Sequence, residues 1–133
     1  MQSNKYVLDT SYISSLLNRR DTKHEGAKKI AETKLREKNI ILPATVILEL
    51  SLLQTQQSTK TSRLELTKIH KVAREYVYVN QNFLDAFEEF VSKTKLKLKT
   101  IDYTVLFCAY SKKATLITFD EKLNKVYKRI SKL

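Results

Sequence analysis

Four carboxylates stand where a chain seldom places one without a use. The apolar run Tyr6-Val7-Leu8 stops at Asp9, and "TLITF" stops at Asp120. Glu49 lies inside "VILELSLL", and Asp102 opens "DYTVLFCAY". Each has an ordinary explanation. Asp at a helix N-cap stabilises by about 1 kcal/mol, which would account for Asp9 and Asp120. An acid in the first turn of a helix complements its dipole, which would account for Asp102. Glu49 is harder to explain. On a helix it shares a face with Val46, Leu52 and Leu53, where an unpaired charge is costly. A salt bridge at the rim of the core would satisfy it, and so would a bound cation.

Taken together, the acids could do chemistry that none does alone. Bare carboxylates brought within several ångströms of one another repel. Mg²⁺ or Mn²⁺ removes that repulsion, prefers hard oxygen ligands and keeps several waters. Such an ion lowers the pKa of a bound water and stabilises charge on a phosphoryl oxygen. The chemistry expected of Asp9, Glu49, Asp102 and Asp120 is therefore metal-assisted hydrolysis of a phosphodiester. Glu32, Glu37, Glu65, Glu75 and Glu88 read instead as polar helical surface.

The overall charge suits a polyanionic substrate. There are 25 Lys+Arg against 14 Asp+Glu, a net charge of +11. Chains adapted to heat gain Glu along with Lys, whereas this excess is one-sided. It attracts nucleic acid through counterion release. Other chemistries lack their residues. Cys108 sits in the apolar run "TVLFCAY" and reads as a buried thiol. His24 and His70 lie in charged segments with no recognisable pairing. Gly26 is the sole glycine, so no glycine-rich phosphate cradle can form. A phosphotransferase of the haloacid-dehalogenase type would need a second Asp where Ser11 stands.

The elements that must position these acids alternate. Tyr6–Leu8, "IILP", "YVYV" and "ATLITF" read as strands. "SYISSLLNR", "HEGAKKIAETKLREKN", "ATVILELSLLQTQ", "SRLELTKIHKVAREY", "NFLDAFEEFVSK", "DYTVLFCAYSKK" and "DEKLNKVYKRISKL" read as helices. In the fourth helix Leu66, Ile69, Ala73 and Tyr76 share a face, either core or dimer surface. "TKLKLKT" alternates Leu with Lys and reads as extended and exposed. Such alternation predicts one α/β domain over residues 1–133, with a parallel sheet apolar on both faces. In that architecture the functional crevice lies at the carboxyl ends of the strands, where Asp9 and Asp120 fall. No apolar stretch is long enough to span a bilayer and no signal-peptide core is present. A soluble, cytoplasmic protein is expected.

"VLDTSYISSLL", "ILPATVILEL" and "IDYTVLFCAYSKKATLITFDEKL", in this order and spacing, resemble a PIN domain, most closely the VapC-type toxins of toxin–antitoxin pairs. The likeness runs from about Tyr6 to Leu123. It implies a three-layer α/β/α fold with a central parallel sheet of four or five strands. It implies an Mg²⁺- or Mn²⁺-dependent endoribonuclease with Asp9, Glu49, Asp102 and Asp120 as metal-binding and catalytic acids. Thr10 or Ser11, and Thr118, match the hydroxyl positions that support them. It also implies an RNA substrate, a homodimer and a cognate antitoxin. Tyr103 departs from the family's small residue after the third acid and is expected to narrow the pocket. Glu121 is expected to point away, and no final strand is evident in "VYKRISKL". An RNA-processing nuclease that is not a toxin, and a noncatalytic nucleic-acid-binding module, are the alternatives.

Overall fold

Val7 and Leu8 face opposite sides of strand β1 (Lys5–Leu8), yet both are buried. Ile40, Ile41 and Leu42 on β2 (Asn39–Pro43) are buried likewise. Strands apolar on both sides must be covered on both sides, which fits a parallel sheet between helices. The computed structural model describes residues 4–56 and 63–132 and shows that sheet. The remaining strands are β3 (Ala73–Val77) and β4 (Thr115–Ile117). The order is β3-β2-β1-β4 and every pairing is parallel. Seven helices connect and flank the strands: α1 (Thr10–Leu17), α2 (His24–Thr33), α3 (Ala44–Gln56), α4 (Arg63–Val72), α5 (Gln81–Thr94), α6 (Thr100–Ser111) and α7 (Glu121–Ile130).

The chain runs outward from β1 through β2 to β3, then returns to place β4 on the other side of β1. Right-handed crossovers put the helices of the two runs on opposite faces. Helix α6 is the centre of the core: every residue from Tyr103 to Ala109 is buried. Rings of Phe83, Phe87 and Phe90 on α5 pack against Phe107. Cys108 is 1% exposed, as its apolar neighbours predicted.

Three elements differ from the sequence reading. Helix α4 ends at Val72, and residues 73–77 form β3 instead of a last helical turn. The pairings Ile41↔Glu75, Leu42↔Tyr76 and Pro43↔Val77 hold this segment extended. The ladder hydrogen bonds and the burial they bring override a helical periodicity that fits the segment equally well. Ile69 is core and Leu66, Ala73 and Tyr76 pack against it, so that stripe faces inward. The second difference is in "TKLKLKT", where Leu96 and Leu98 are packed against the core while the lysines and Thr100 are exposed. The third is in the acids read as helical surface: Glu75 lies on β3, and Glu37 lies in a turn with φ 60°. Ser62, the first residue of the predicted fourth helix, Leu133, and the side chain of Glu65 lie outside what is described.

Candidate active site

Strand order reverses direction at β1 and β4, and the crevice of an open α/β sheet forms at that switch point. Asp9 follows β1 directly. Its backbone N–H donates to Ile117 O at 3.0 Å, extending the β1–β4 pairing. The residue is 3% exposed. Asp9 occupies the N-cap position of α1, yet its carboxylate makes no capping hydrogen bond. Instead Oδ2 accepts from Ser11 Oγ at 2.9 Å and from Thr118 Oγ1 at 2.6 Å. Oδ1 is left with no donor among the described residues. Two hydrogen bonds to a single ionised oxygen are strong and directional, so they fix the carboxylate while its other oxygen stays available.

The two hydroxyls are themselves held. Phe119 N donates to Ser11 Oγ and Asp120 N donates to Thr118 Oγ1, each at 3.0 Å. A hydroxyl has one proton, and both give theirs to Asp9, so the backbone amides complete their geometry. The segment Thr118-Phe119-Asp120 thus wraps the end of β1. Asp120 Oδ1 accepts from Leu123 N at 3.0 Å and caps α7. The ordinary capping role therefore holds for one oxygen of Asp120 and fails for Asp9.

Asp102 and Glu49 come from helices. Asp102 sits in the first turn of α6, whose N-cap residue is Lys99. Its carboxyl is pushed up to about 6, first by burial and then by the charges of Asp9, Asp120 and Glu49, with Lys99 opposing. The charges of Asp9, Asp120 and Glu49, from three other segments, thus all bear on Asp102. Thr45 Oγ1 meets Thr104 Oγ1 at 2.7 Å and ties the start of α3 to that of α6. Glu49 is half-buried on α3 and has no ion pair among the described residues. Val46 beside it is buried, but Leu52, expected on the same buried face, is 62% exposed. Glu49 therefore stands at the border of the buried face, where a side chain can reach the crevice.

Thr10 is placed differently from the other hydroxyl residues. It is buried, and its Oγ1 has no hydrogen-bond partner among the described residues. Among the described residues, the hydroxyls that bond the Asp9 carboxylate are those of Ser11 and Thr118. Tyr103 does not narrow the crevice: its hydroxyl meets Thr94 Oγ1 at 2.7 Å and accepts from Leu96 N at 2.9 Å, so it is directed toward α5. Glu121 is exposed, as expected of a first-turn residue. Phe119 carried no signal beyond its place between Thr118 and Asp120. Its ring packs 5.6 Å from that of Tyr12 and lies 5.3 Å beneath Lys23 Nζ, which brings a cation to this corner.

The donor chemistry fits a hard divalent cation. All four candidate ligands are carboxylates, Asp9 keeps an oxygen without a donor, and Asp102 shows the repulsion that a cation would relieve. Among the described residues, no three His, Cys, Asp or Glu side chains are close enough to hold an ion directly. Mg²⁺ keeps several waters, through which more distant carboxylates can hold it.

Fold and site define an α/β domain with an acidic crevice at the switch point of a four-stranded parallel sheet. The chain belongs to the PIN domain family, whose model matches residues 6–129. Two solved structures share the fold. One is Mycobacterium tuberculosis VapC20, described as a sarcin–ricin loop cleaving toxin. It has a TM-score of 0.72 and 20% identity over 91% of this chain and 94% of that one. The other is VapBC2 from Rickettsia felis, bound to a DNA fragment from its promoter. It has a TM-score of 0.68 and 19% identity over 97% of this chain and 95% of that one. No curated protein matches the chain in sequence.

Proposed function

We propose that this PIN domain is a divalent-metal-dependent endoribonuclease and the toxin of a toxin–antitoxin pair. The observation that carries the nuclease reading is the placement of Asp9 and Asp120 directly after β1 and β4, tied together through Thr118, with both charges and that of Glu49 bearing on Asp102. Asp9, Asp102 and Asp120 would hold the ion, and Glu49 would hold it or orient the attacking water. Bound Mg²⁺ or Mn²⁺ would supply an activated water and charge stabilisation at the phosphate. Ser11 and Thr118 fix Asp9 Oδ2, so that the carboxylate presents Oδ1. The same two residues are pinned by the amides of Phe119 and Asp120. Displacement of the β4 end would therefore disturb Asp9 and Asp120 together.

The toxin assignment is supported by the two structural neighbours and by a second surface. A cleft of about 1050 Å³ opens among α1, α2 and α4, with Glu25 and Glu37 but none of the four candidate acids in its lining. Leu16, Leu17, Leu35 and Ile69 line it, and Lys28, Arg36, Lys68 and Arg74 are among its cations. An acidic amphipathic segment of an antitoxin suits that lining.

The decisive experiment is Asp9→Asn. Mg²⁺-dependent cleavage of RNA is expected to fall at least 1000-fold while the circular dichroism spectrum is unchanged. Cleavage persisting at the wild-type rate would remove Asp9 from the machinery. A wild-type protein that binds RNA with steep salt dependence, yet cuts with no divalent metal, would favour a noncatalytic module. Active enzyme that no partner protein silences would favour RNA processing.

A further inference from the structure

We propose that Lys95, Lys97 and Lys99 form a rail that holds the RNA backbone as it enters the acidic crevice. The inference rests on the nuclease reading and adds where the substrate lies. Between α5 and α6 the chain alternates: Leu96 and Leu98 turn into the core while the three lysines are exposed. Lys95 takes a left-handed conformation at the end of α5 and Lys99 an extended one at the start of α6, and the two inward leucines leave the three lysines on the solvent side of the connecting segment.

The row is anchored along its length. Lys95 N donates to Val91 O at 2.9 Å, and Tyr103 N donates to Lys99 O at 2.9 Å. Between them Leu96 N donates to the hydroxyl of Tyr103 at 2.9 Å. A fixed backbone loses less entropy when it engages a ligand. None of the three lysines is ion-paired among the described residues. Two other lysines are: Lys93 bonds Glu89 and Lys112 bonds Glu75. The rail also has a direction. Lys99 caps α6 three residues before Asp102, and Lys95 closes α5. One end of the rail therefore lies at the helix start that carries Asp102, and the other at the end of α5. A polyanion threaded into the crevice would find one lysine after another, with no base-reading group among them. The ligand class is the phosphodiester backbone of an unpaired strand, held without regard to sequence.

The test measures binding separately from cleavage. In an Asp9→Asn background, the affinity for a short unstructured RNA is measured against salt concentration. Replacing Lys95, Lys97 and Lys99 with Gln is expected to flatten the slope of log K against log salt by about 2, at roughly 0.7 per phosphate contact on a single strand. Replacing the same three with Arg is expected to retain the slope, because charge and not packing is at stake. The control replaces Lys122, Lys125 and Lys128 on α7 with Gln and removes equal charge elsewhere; it is expected to move the slope by less than half as much. Rail and control slopes that fall equally would overturn the proposal, as would an Arg variant that loses the slope with its fold intact. A rail effect in a protein whose wild type never cuts RNA would keep the rail and sink the nuclease. Cleavage by the wild type with no rail effect would do the reverse.

Discussion

At the scale of single residues, the site turns on how Asp9 is held. Its carboxylate receives two side-chain hydroxyls, one from the next helix and one from the residue after β4, 109 positions away. Outer partners that orient a ligand are typically worth 10–100-fold in metal affinity. Ser11→Ala and Thr118→Val are each expected to weaken Mg²⁺ activation by that factor, read as a shifted metal titration midpoint with little change in maximal rate. Asp102 has a pH signature. Its folded carboxyl is raised from 3.8 to about 6, so the folded state binds the proton more tightly than the unfolded state. The resulting penalty is absent below pH about 4, grows through the interval to pH about 6 and is constant above it. Asp102→Asn is therefore expected to melt progressively higher than the wild type as pH rises from 4 to 7 without metal. Saturating Mg²⁺ should shrink that gap, because the ion relieves the same repulsion. A gap independent of pH would contradict the assigned environment. Cys108 is inert by the same logic. Burial pushes its thiol up to about 12, with Lys112 opposing and Glu75 adding to the effect. Iodoacetamide should label it only under denaturing conditions.

At the scale of elements, the junctions carry more of the function than the elements themselves. The β1–α1 and β4–α7 junctions supply Asp9 and Asp120, and the α5–α6 junction supplies the lysine row. Lys95 adopts a left-handed conformation, φ 49° and ψ 44°, at the C-cap of α5. Glycine sits there at lower cost. Lys95→Gly is expected to stabilise the fold by roughly 0.5–1 kcal/mol, a rise in melting temperature of about 2–4 °C. The same change should flatten the salt slope of RNA binding by about 0.7. Tyr103→Phe should cost about 1–3 kcal/mol, because Leu96 N loses its acceptor in a half-buried setting. The element least legible in sequence was β3. Residues 66, 69, 73 and 76 keep helical spacing, and the same stretch satisfies an edge strand. Local periodicity could not choose, whereas pairing with β2 did.

At the scale of the whole molecule, charge and surface divide the labour. Asp9 and Asp120 stand at strand ends and Glu49 and Asp102 on helices, in a chain whose net charge of +11 favours polyanions over polycations as partners. Leu48 and Leu52 are each 62% exposed and one turn apart on α3, and we propose this apolar pair as the contact of a homodimer. Replacing both with Glu is expected to shift a homodimer to monomer in sedimentation velocity while leaving the melting temperature within a few degrees. An unchanged sedimentation coefficient would place any dimer contact elsewhere.

The sequence by itself determined the class of fold, the parallel sheet and the four acids at strand ends or on apolar helices. Those features are written in local pattern: apolar runs that end in carboxylates, and a charge placed where packing would not want one. Only the tertiary structure decided which acid caps a helix and which does not. It also decided that Ser11 and Thr118 hold Asp9 while Thr10 does not, and that Tyr103 serves α5. Hydrogen bonds between residues a hundred positions apart leave no periodic trace in a chain, because they exist only once the strands have set β1 beside β4.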